Sequence, residues 1–351
     1  MTITGKDRIW KVIKGKQPDR VPVFPELFYT SARYFGIKIS EYLTTIEGMS
    51  ESLIYCYKKF GYDGVNIAGD VLIEAETIGT KTSQPEDDLP KLLEPAIKSV
   101  KDLKRLEIPD PKKDGRMAIV FEATKKIVNT IGNEAFIMGG AMGPWNLSSQ
   151  LRGVQNLMLD TIDRPNFVYD LLEFSTEVLI KYGKALLDTG VDLVEHGEAL
   201  CSTSFISPKT YEDFVFKYHK KMFAALNNYG NGASCLHICG NIIPILKVMK
   251  KTEATIFDVD YQVDMNEAKK YAVVRGNINP AGILLKGSKD MVVKECKELI
   301  ENVGPGGKFI LSSGCDVAPD TPEENIYAMV ESAREYGRYP IGKIIDIKGK
   351  I

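Results

Sequence analysis

Short apolar runs alternate along this chain with longer stretches in which apolar residues recur every three or four positions, and the rhythm is most regular after about residue 117. The runs lie at 21–25, 64–70, 135–140, 191–198, 233–239, 254–260, 273–280 and 308–315. Before the first of them, residues 5–13 have helical apolar spacing that ends in a Gly-Lys-Gln-Pro turn. Helices are predicted over 46–60, through Ile131, over 154–161, 164–189, 243–249, 266–271 and 289–302. Another starts where Ser207 caps and Pro208 takes the first turn, and the last starts at Thr321, with Glu324 completing a capping box.

Eight strands, each followed by a helix or an excursion, predict an α/β protein of the (β/α)8 barrel type with an N-terminal helical extension. Residues 71–115 are rich in Pro, Asp, Glu and Lys and read as an excursion or cap inserted into one barrel domain spanning 1–351, since a structureless loop of that length is uncommon. A doubly wound sheet ranks second, because no glycine-rich phosphate loop follows the first strand. In a barrel, polar residues at the C-terminal strand ends face the active site. That rule selects Asp70, Asn146, Glu198, His237, Cys239, Asp260, Asn277 and Cys315.

Composition narrows the function classes. With 45 Lys plus Arg against 47 Asp plus Glu, the formal net charge is -2, and nothing in that balance favours nucleic acid, which would call for a basic face. No run is long and apolar enough to span a bilayer, and the first six residues do not lead into a signal-peptide core, so the expectation is a soluble, cytoplasmic monomer or homodimer. Six cysteines without a secretory signal argue for thiols or metal ligands over disulfides. Cys56 and Cys296 fall in helical patterns and read as small core residues, Cys235 points the same way as His237 but deeper, and Cys201 is undecided.

The candidate chemistry centres on Leu236-His237-Ile238-Cys239-Gly240 and the distant Ser312-Ser313-Gly314-Cys315-Asp316. His237 and Cys239 are two apart, so on a strand they project from one face. One imidazole and two thiolates suit Zn2+, and three protein donors leave a fourth position for chemistry. Glu198 is a candidate for that position, with water and Cys201 as alternatives. His196 adjoins Glu195 and is a candidate supporting residue, His219 reads as part of a solvated helix face, and Asp316 as a helix N-cap. Asp70, Asp260 and Asn277 are candidates for binding polar groups of a substrate or guiding its protonation. A zinc ion held by two thiolates is a modest Lewis acid for hydrolysis, better suited to keeping an incoming thiol deprotonated, which makes that thiol a nucleophile for alkyl groups.

Here the motifs meet a known family. Leu236 to Asn241 with Pro244-Ile245-Leu246, Gly276-Asn277-Ile278-Asn279-Pro280, and Gly314-Cys315-Asp316 with Pro319 to Ile326 resemble the methylcobamide:coenzyme M methyltransferases of the uroporphyrinogen decarboxylase superfamily. The likeness runs through Gly143-Pro144-Trp145 and Ser207 to Tyr211. It implies that His237, Cys239 and Cys315 are the zinc ligands, that Trp145 and Asn146 contact the corrinoid, and that a methylated corrinoid protein docks at the barrel mouth. A thiol, coenzyme M first, would attack the methyl group and leave Co(I). A tetrahydropterin acceptor, an O-demethylase component and a non-catalytic corrinoid-binding accessory are the alternatives. Porphyrinogen decarboxylation ranks below them: Asp70 matches the decarboxylases' aspartate, but their arginine-rich segment is replaced here by Phe24-Pro25-Glu26-Leu27-Phe28-Tyr29.

Overall fold

The computed structural model describes residues 3–341. A parallel sheet of seven strands runs in chain order: β1 (Gly64–Ile67), β2 (Phe136–Met142), β3 (Leu193–Gly197), β4 (Ser234–Ile238), β5 (Ile256–Val259), β6 (Val273–Ile278) and β7 (Phe309–Ser313). Residues 21–25, the first predicted run, fill the gap between its edges. Val23 bridges Leu311 of β7 in parallel, and on the other side the Asp63 N–H donates to the Val23 carbonyl at 2.8 Å. The sheet is thereby closed into the expected eight-position barrel. The first position is a single bridge rather than a full strand, because Pro22 and Pro25 have no N–H to give to a ladder.

The remaining expectations fare unevenly. Residues 71–115 are not structureless: they hold the helix Ile73–Ile78, a hairpin of Lys81–Thr82 with Leu92–Glu94, and the 3-10 turn Val100–Arg105. Ser207 does cap its helix, its hydroxyl accepting from the Thr210 N–H at 3.0 Å, with Pro208 in the first turn. The last helix, however, runs Glu323–Tyr336 with Pro322 as N-cap, so Thr321 sits one residue too early to cap it. The predicted helix over 243–249 opens as a 3-10 turn, Ile243–Ile245, before Leu246–Met249.

Alternation along the strands sorts two cores. Outward residues such as Val65, Ile137, Val194, Leu236, Phe257, Val274 and Phe309 pack under the surrounding helices. Inward residues at the bottom of the barrel, among them Phe136, Met138, Leu193, Cys235, Ile256, Val273 and Ile310, form a separate cluster with Phe24. Its floor is α1 (Gly5–Ile13), whose Ile9 and Val12 are fully buried in that cluster. Each such side chain is worth roughly 1.5–3 kcal/mol by burial. Polar contacts fix the helix there: Trp10 Nε1 donates to Asp192 at 2.7 Å, and Arg8 bonds Asp19 and Asp63. The bottom is thus sealed with apolar packing, and polar residues on the same strands are left for the upper half.

Candidate metal centre

The first polar layer above the apolar floor is a ring of buried charge. Arg275 on β6, fully buried, points inward and lies 2.9 Å from Asp258 of β5, 3.3 Å from Glu195 of β3 and 3.4 Å from Glu26. Its guanidinium also lies 4.2 Å from the Phe24 ring centre. Asn66 of β1 donates to Glu195, and the Cys235 thiol lies 3.7 Å from the same carboxylate. Burial, reinforced by the Asp258 charge, pushes Glu195 up to about 8 and Glu26 well above the usual carboxylate range. Burial would raise Asp258 too, but Arg275 and His237 outweigh it and hold that carboxyl below its ordinary value. One cation among three carboxylates concentrates the stable negative charge on the residue nearest His237.

Directly above lie the three predicted donors. His237 Nε2 is 3.2 Å from Cys239 Sγ, and the donor atoms of His237, Cys239 and Cys315 all fall within 4.8 Å of one another. Strand register explains the placement: His237 on β4 pairs with Asp258 on β5, and Asp258 with Arg275 on β6, so the three inward side chains stack side by side. His237 Nδ1 stands 3.5 Å from Asp258 and makes no hydrogen bond, the position from which a carboxylate selects the tautomer of a metal-binding imidazole. A hydrogen bond from Cys315, then His237, pulls the Cys239 thiol down to about 5 against the effect of burial, while the same bond and burial push Cys315 up. The pair is set up to carry one shared negative charge. These are borderline-soft donors in a partly exposed cluster, and they fit a zinc-type ion with an open position.

The donors line a cavity of about 210 Å3 at the barrel mouth. Of the other predicted residues, Asp70, Asn146 and Glu198 also line it. Asp70 accepts from the Leu72 N–H at 2.8 Å and pairs with Arg116. Asn146 accepts from the Leu200 N–H at 2.9 Å. Glu198 is committed elsewhere than the metal donors. Its two oxygens take the Trp145 and Asn146 N–H groups, at 2.9 and 2.8 Å, at the start of α2 (Pro144–Arg152), and His219 Nε2 at 2.8 Å. A Cβ on Gly143 would lie 2.3 Å from the Glu198 carboxyl carbon, so a glycine is what lets the carboxylate approach.

Other expectations are corrected by this geometry. Trp145 is fully buried and is not among the cavity-lining residues, so its side chain is core rather than a corrinoid contact. Asp260 and Asn277 do not line the cavity either: Asp260 Oδ1 accepts from the Gln262 N–H at 3.0 Å, and the Asn277 amide donates to the Asp260 and Val263 carbonyls at 3.0 and 2.9 Å. His219, on α3 (Phe216–Tyr229), is wholly buried rather than solvated, with Tyr211 Oη 3.0 Å from its Nδ1. His196 faces outward from β3 onto Phe223, has no hydrogen-bond partner, and is pushed down to about 3 by burial. Cys201 belongs with Glu198 and His219 in a second buried trio. Cys56 and Cys296 are core residues as expected, and Cys235 does lie below His237 on the same face. Asp316 caps no helix: it lines the cavity and takes a hydrogen bond from Tyr29 Oη at 3.3 Å. Sequence reasoning passed over Glu26, Glu195, Asp258 and Arg275. For Glu195, Asp258 and Arg275 the signal was a charge in the middle of an apolar run, on the inward face of its strand; Glu26 follows its run and carried no such signal.

An eight-position parallel barrel with a cluster of three candidate metal donors at its mouth is therefore the class of protein that fold and site define. A model of the uroporphyrinogen decarboxylase (URO-D) family matches residues 4–336, and the chain belongs to that family. Methylcobamide:CoM methyltransferase MtbA of Methanosarcina acetivorans is 27% identical over 346 residues, covering 95% of this chain and 98% of the relative. Methylcobamide:CoM methyltransferase MtaA of Methanosarcina barkeri is 30% identical over 350 residues, with the same coverage. A solved methyltransferase from Methanosarcina mazei superposes with a TM-score of 0.87 at 27% identity, covering 95% of this chain and 99% of that one. Among the described residues no helix is long and apolar enough to cross a membrane.

Proposed function

We propose that this chain is a zinc-dependent methyltransferase that moves a methyl group from a methylated corrinoid carried by a partner protein to a small thiol, the class of acceptor that coenzyme M represents in the names of its relatives. The observation that carries the reading is the convergence of His237, Cys239 and Cys315 on the cavity wall, with Asp258 behind the imidazole. A zinc ion held there would lower the pKa of an incoming thiol so that it is a thiolate at neutral pH. The protein residues do the rest. His237 and the two cysteines hold the ion, Asp258 and Arg275 keep the imidazole oriented, and the apolar walls around them exclude water. The sulfur gains the methyl group, the cobalt–carbon bond breaks and its electron pair stays with the corrinoid.

The cavity size supports a division of the two substrates. About 210 Å3 is below the roughly 300–1,000 Å3 of drug-sized sites, so a small thiol fits inside and a corrin macrocycle stays at the mouth. Porphyrinogen decarboxylation fits less well for the same reason, and also because among the described residues no Lys or Arg lines the cavity to pair with the polycarboxylate. The test is a cuvette assay of free methylcobalamin with coenzyme M, homocysteine and a tetrahydropterin, alongside metal analysis of the same preparation. Thiol-dependent loss of the methyl–cobalt spectrum by a zinc-containing protein is the expected result. Turnover with the pterin alone, or equal turnover by metal-free protein, would refute it.

A further inference from the structure

A second opening lies beside the metal centre and takes no part in the chemistry above. It is a groove of about 460 Å3, lined by residues of the helices Met265–Lys269 and Lys289–Val303, and its size falls within the roughly 300–1,000 Å3 of small-molecule sites. Asn277 near the end of β6, Asn279 just beyond that strand and the exposed Tyr261 line it on the mouth side. A Cβ on Gly314, the residue before Cys315, would lie 2.6 Å from the Tyr261 backbone nitrogen, so the groove begins next to the loop that carries a metal donor. Two amides in it have one half committed and the other half free. Asn277, only 7% exposed, spends its Nδ2 on the Asp260 and Val263 carbonyls at 3.0 and 2.9 Å, and among the described residues nothing donates to its Oδ1. Asn279 is the reverse: its Oδ1 accepts from the Ala281 and Gly282 N–H groups at 3.1 and 2.8 Å, and its NH2 bonds nothing among the described residues. A Cβ on Gly282 would stand 2.9 Å from that NH2, so the glycine leaves space beside it.

A fixed acceptor and a fixed donor two residues apart are the complement of a primary carboxamide, whose NH2 needs the one and whose carbonyl needs the other. Among the described residues no Lys or Arg lines the groove, and its charged liners, Asp264 and Glu295, are both acidic, so an anion is disfavoured there. From this pairing we infer that the groove receives a carboxamide side chain from the edge of the corrin ring. The inference rests on the methyl-transfer reading above and gives the methyl donor a recognition site of its own. The macrocycle is too large for the cavity of about 210 Å3 and stays at the mouth, where its edge, with its short amide-ended side chains, reaches over the neighbouring groove. The amide keeps the same bonds before and during transfer, so the groove acts on how the donor is bound and leaves the chemical step alone.

The experiment uses the full chain with free methylcobalamin as donor, coenzyme M as acceptor and loss of the methyl–cobalt spectrum as readout. Asn279→Asp keeps an oxygen to accept from the Ala281 and Gly282 N–H groups but replaces the free NH2 with a second acceptor. It should raise the KM for methylcobalamin about tenfold, with kcat and the KM for coenzyme M within about twofold of the wild type. An unchanged KM for methylcobalamin overturns the inference and leaves methyl transfer standing. If the wild type methylates no thiol, the methyl-transfer reading fails and this one with it. A second arm changes the ligand, using the three methylcobalamin derivatives in which one propionamide of the ring edge is hydrolysed to a carboxylate. One of them should show a KM raised about tenfold, and Glu295→Gln, which removes a like charge from the groove, should recover most of that loss for this derivative alone. Equal use of all three derivatives and methylcobalamin, or a deficit that Glu295→Gln leaves in place, would also overturn the proposal.

Discussion

Two trios of potential metal ligands stand near the top of this barrel, each with a histidine and a cysteine, and they differ in access and in what their side chains already bond. His237, Cys239 and Cys315 line a cavity, two of the three are partly exposed, and their donor atoms face one another, with His237 Nε2 3.2 Å from Cys239 Sγ. Glu198, Cys201 and His219 are wholly buried; both Glu198 oxygens and both His219 nitrogens have hydrogen-bond partners. The first trio's donors are turned toward one another beside open space. The second has spent its capacity on tying α2 and α3 to the end of β3. Residue types alone do not separate a candidate metal site from a structural tie; access, and which partners the side chains already bond, do.

The sharpest way to break this comparison is to remove one sulfur from each trio. Cys239→Ala or Cys315→Ala should lower methyl transfer by roughly a thousandfold or more, with zinc lost, because several kcal/mol of charge stabilisation goes with the metal. Metal analysis and the methylcobalamin assay on the same sample read both effects. Next in size, Asp258→Asn should weaken zinc binding by about 10–100-fold, measured by competition with a chromogenic chelator, while the circular dichroism spectrum is kept.

A pH effect comes third and belongs to the closed side, where His196 packs on Phe223. Burial holds its folded-state pKa at about 3, below the unfolded value of about 6.5. The fold therefore favours the neutral ring: this stability is complete above pH 6.5 and is lost as pH falls from there toward 3. At pH 5 the loss is about 2 kcal/mol, visible as a lower urea midpoint that His196→Leu should largely abolish. The smallest effects come from the closed trio itself. Glu198→Gln should cost about 1–2 kcal/mol by turning an amide NH2 toward N–H donors, and Cys201→Ala about 1 kcal/mol, both without change in zinc content. Loss of zinc in Glu198→Gln would instead restore Glu198 as a ligand.

The fold was legible because a parallel barrel writes its strands as regularly spaced apolar runs, and seven of the eight runs are ladder strands. The eighth was legible as a place but not as a strand length, since the Asp63 and Leu311 partners that hold residues 21–25 lie far along the chain. His237 and Cys239 could be paired on parity alone. Parity stops at the strand end, which is where Asp260 sits, one residue past β5; Asn277 lies within β6, and parity could not show that its amide is taken by the Asp260 and Val263 carbonyls. His219 was hidden by its lysine neighbours, because the same helix shows Lys220 to solvent and the imidazole to the core.

The helical floor has a practical consequence. The chain has two tryptophans, and they mark opposite ends of the barrel. Trp10 rides on α1 with its indole bonded to Asp192, while Trp145 is sealed at the start of α2, its backbone N–H held by Glu198. Emission from Trp145→Phe would report only the floor, and emission from Trp10→Phe only the mouth. The protein thus carries its own pair of optical probes, one for loosening of the scaffold and one for events beside the cavity, with no label required.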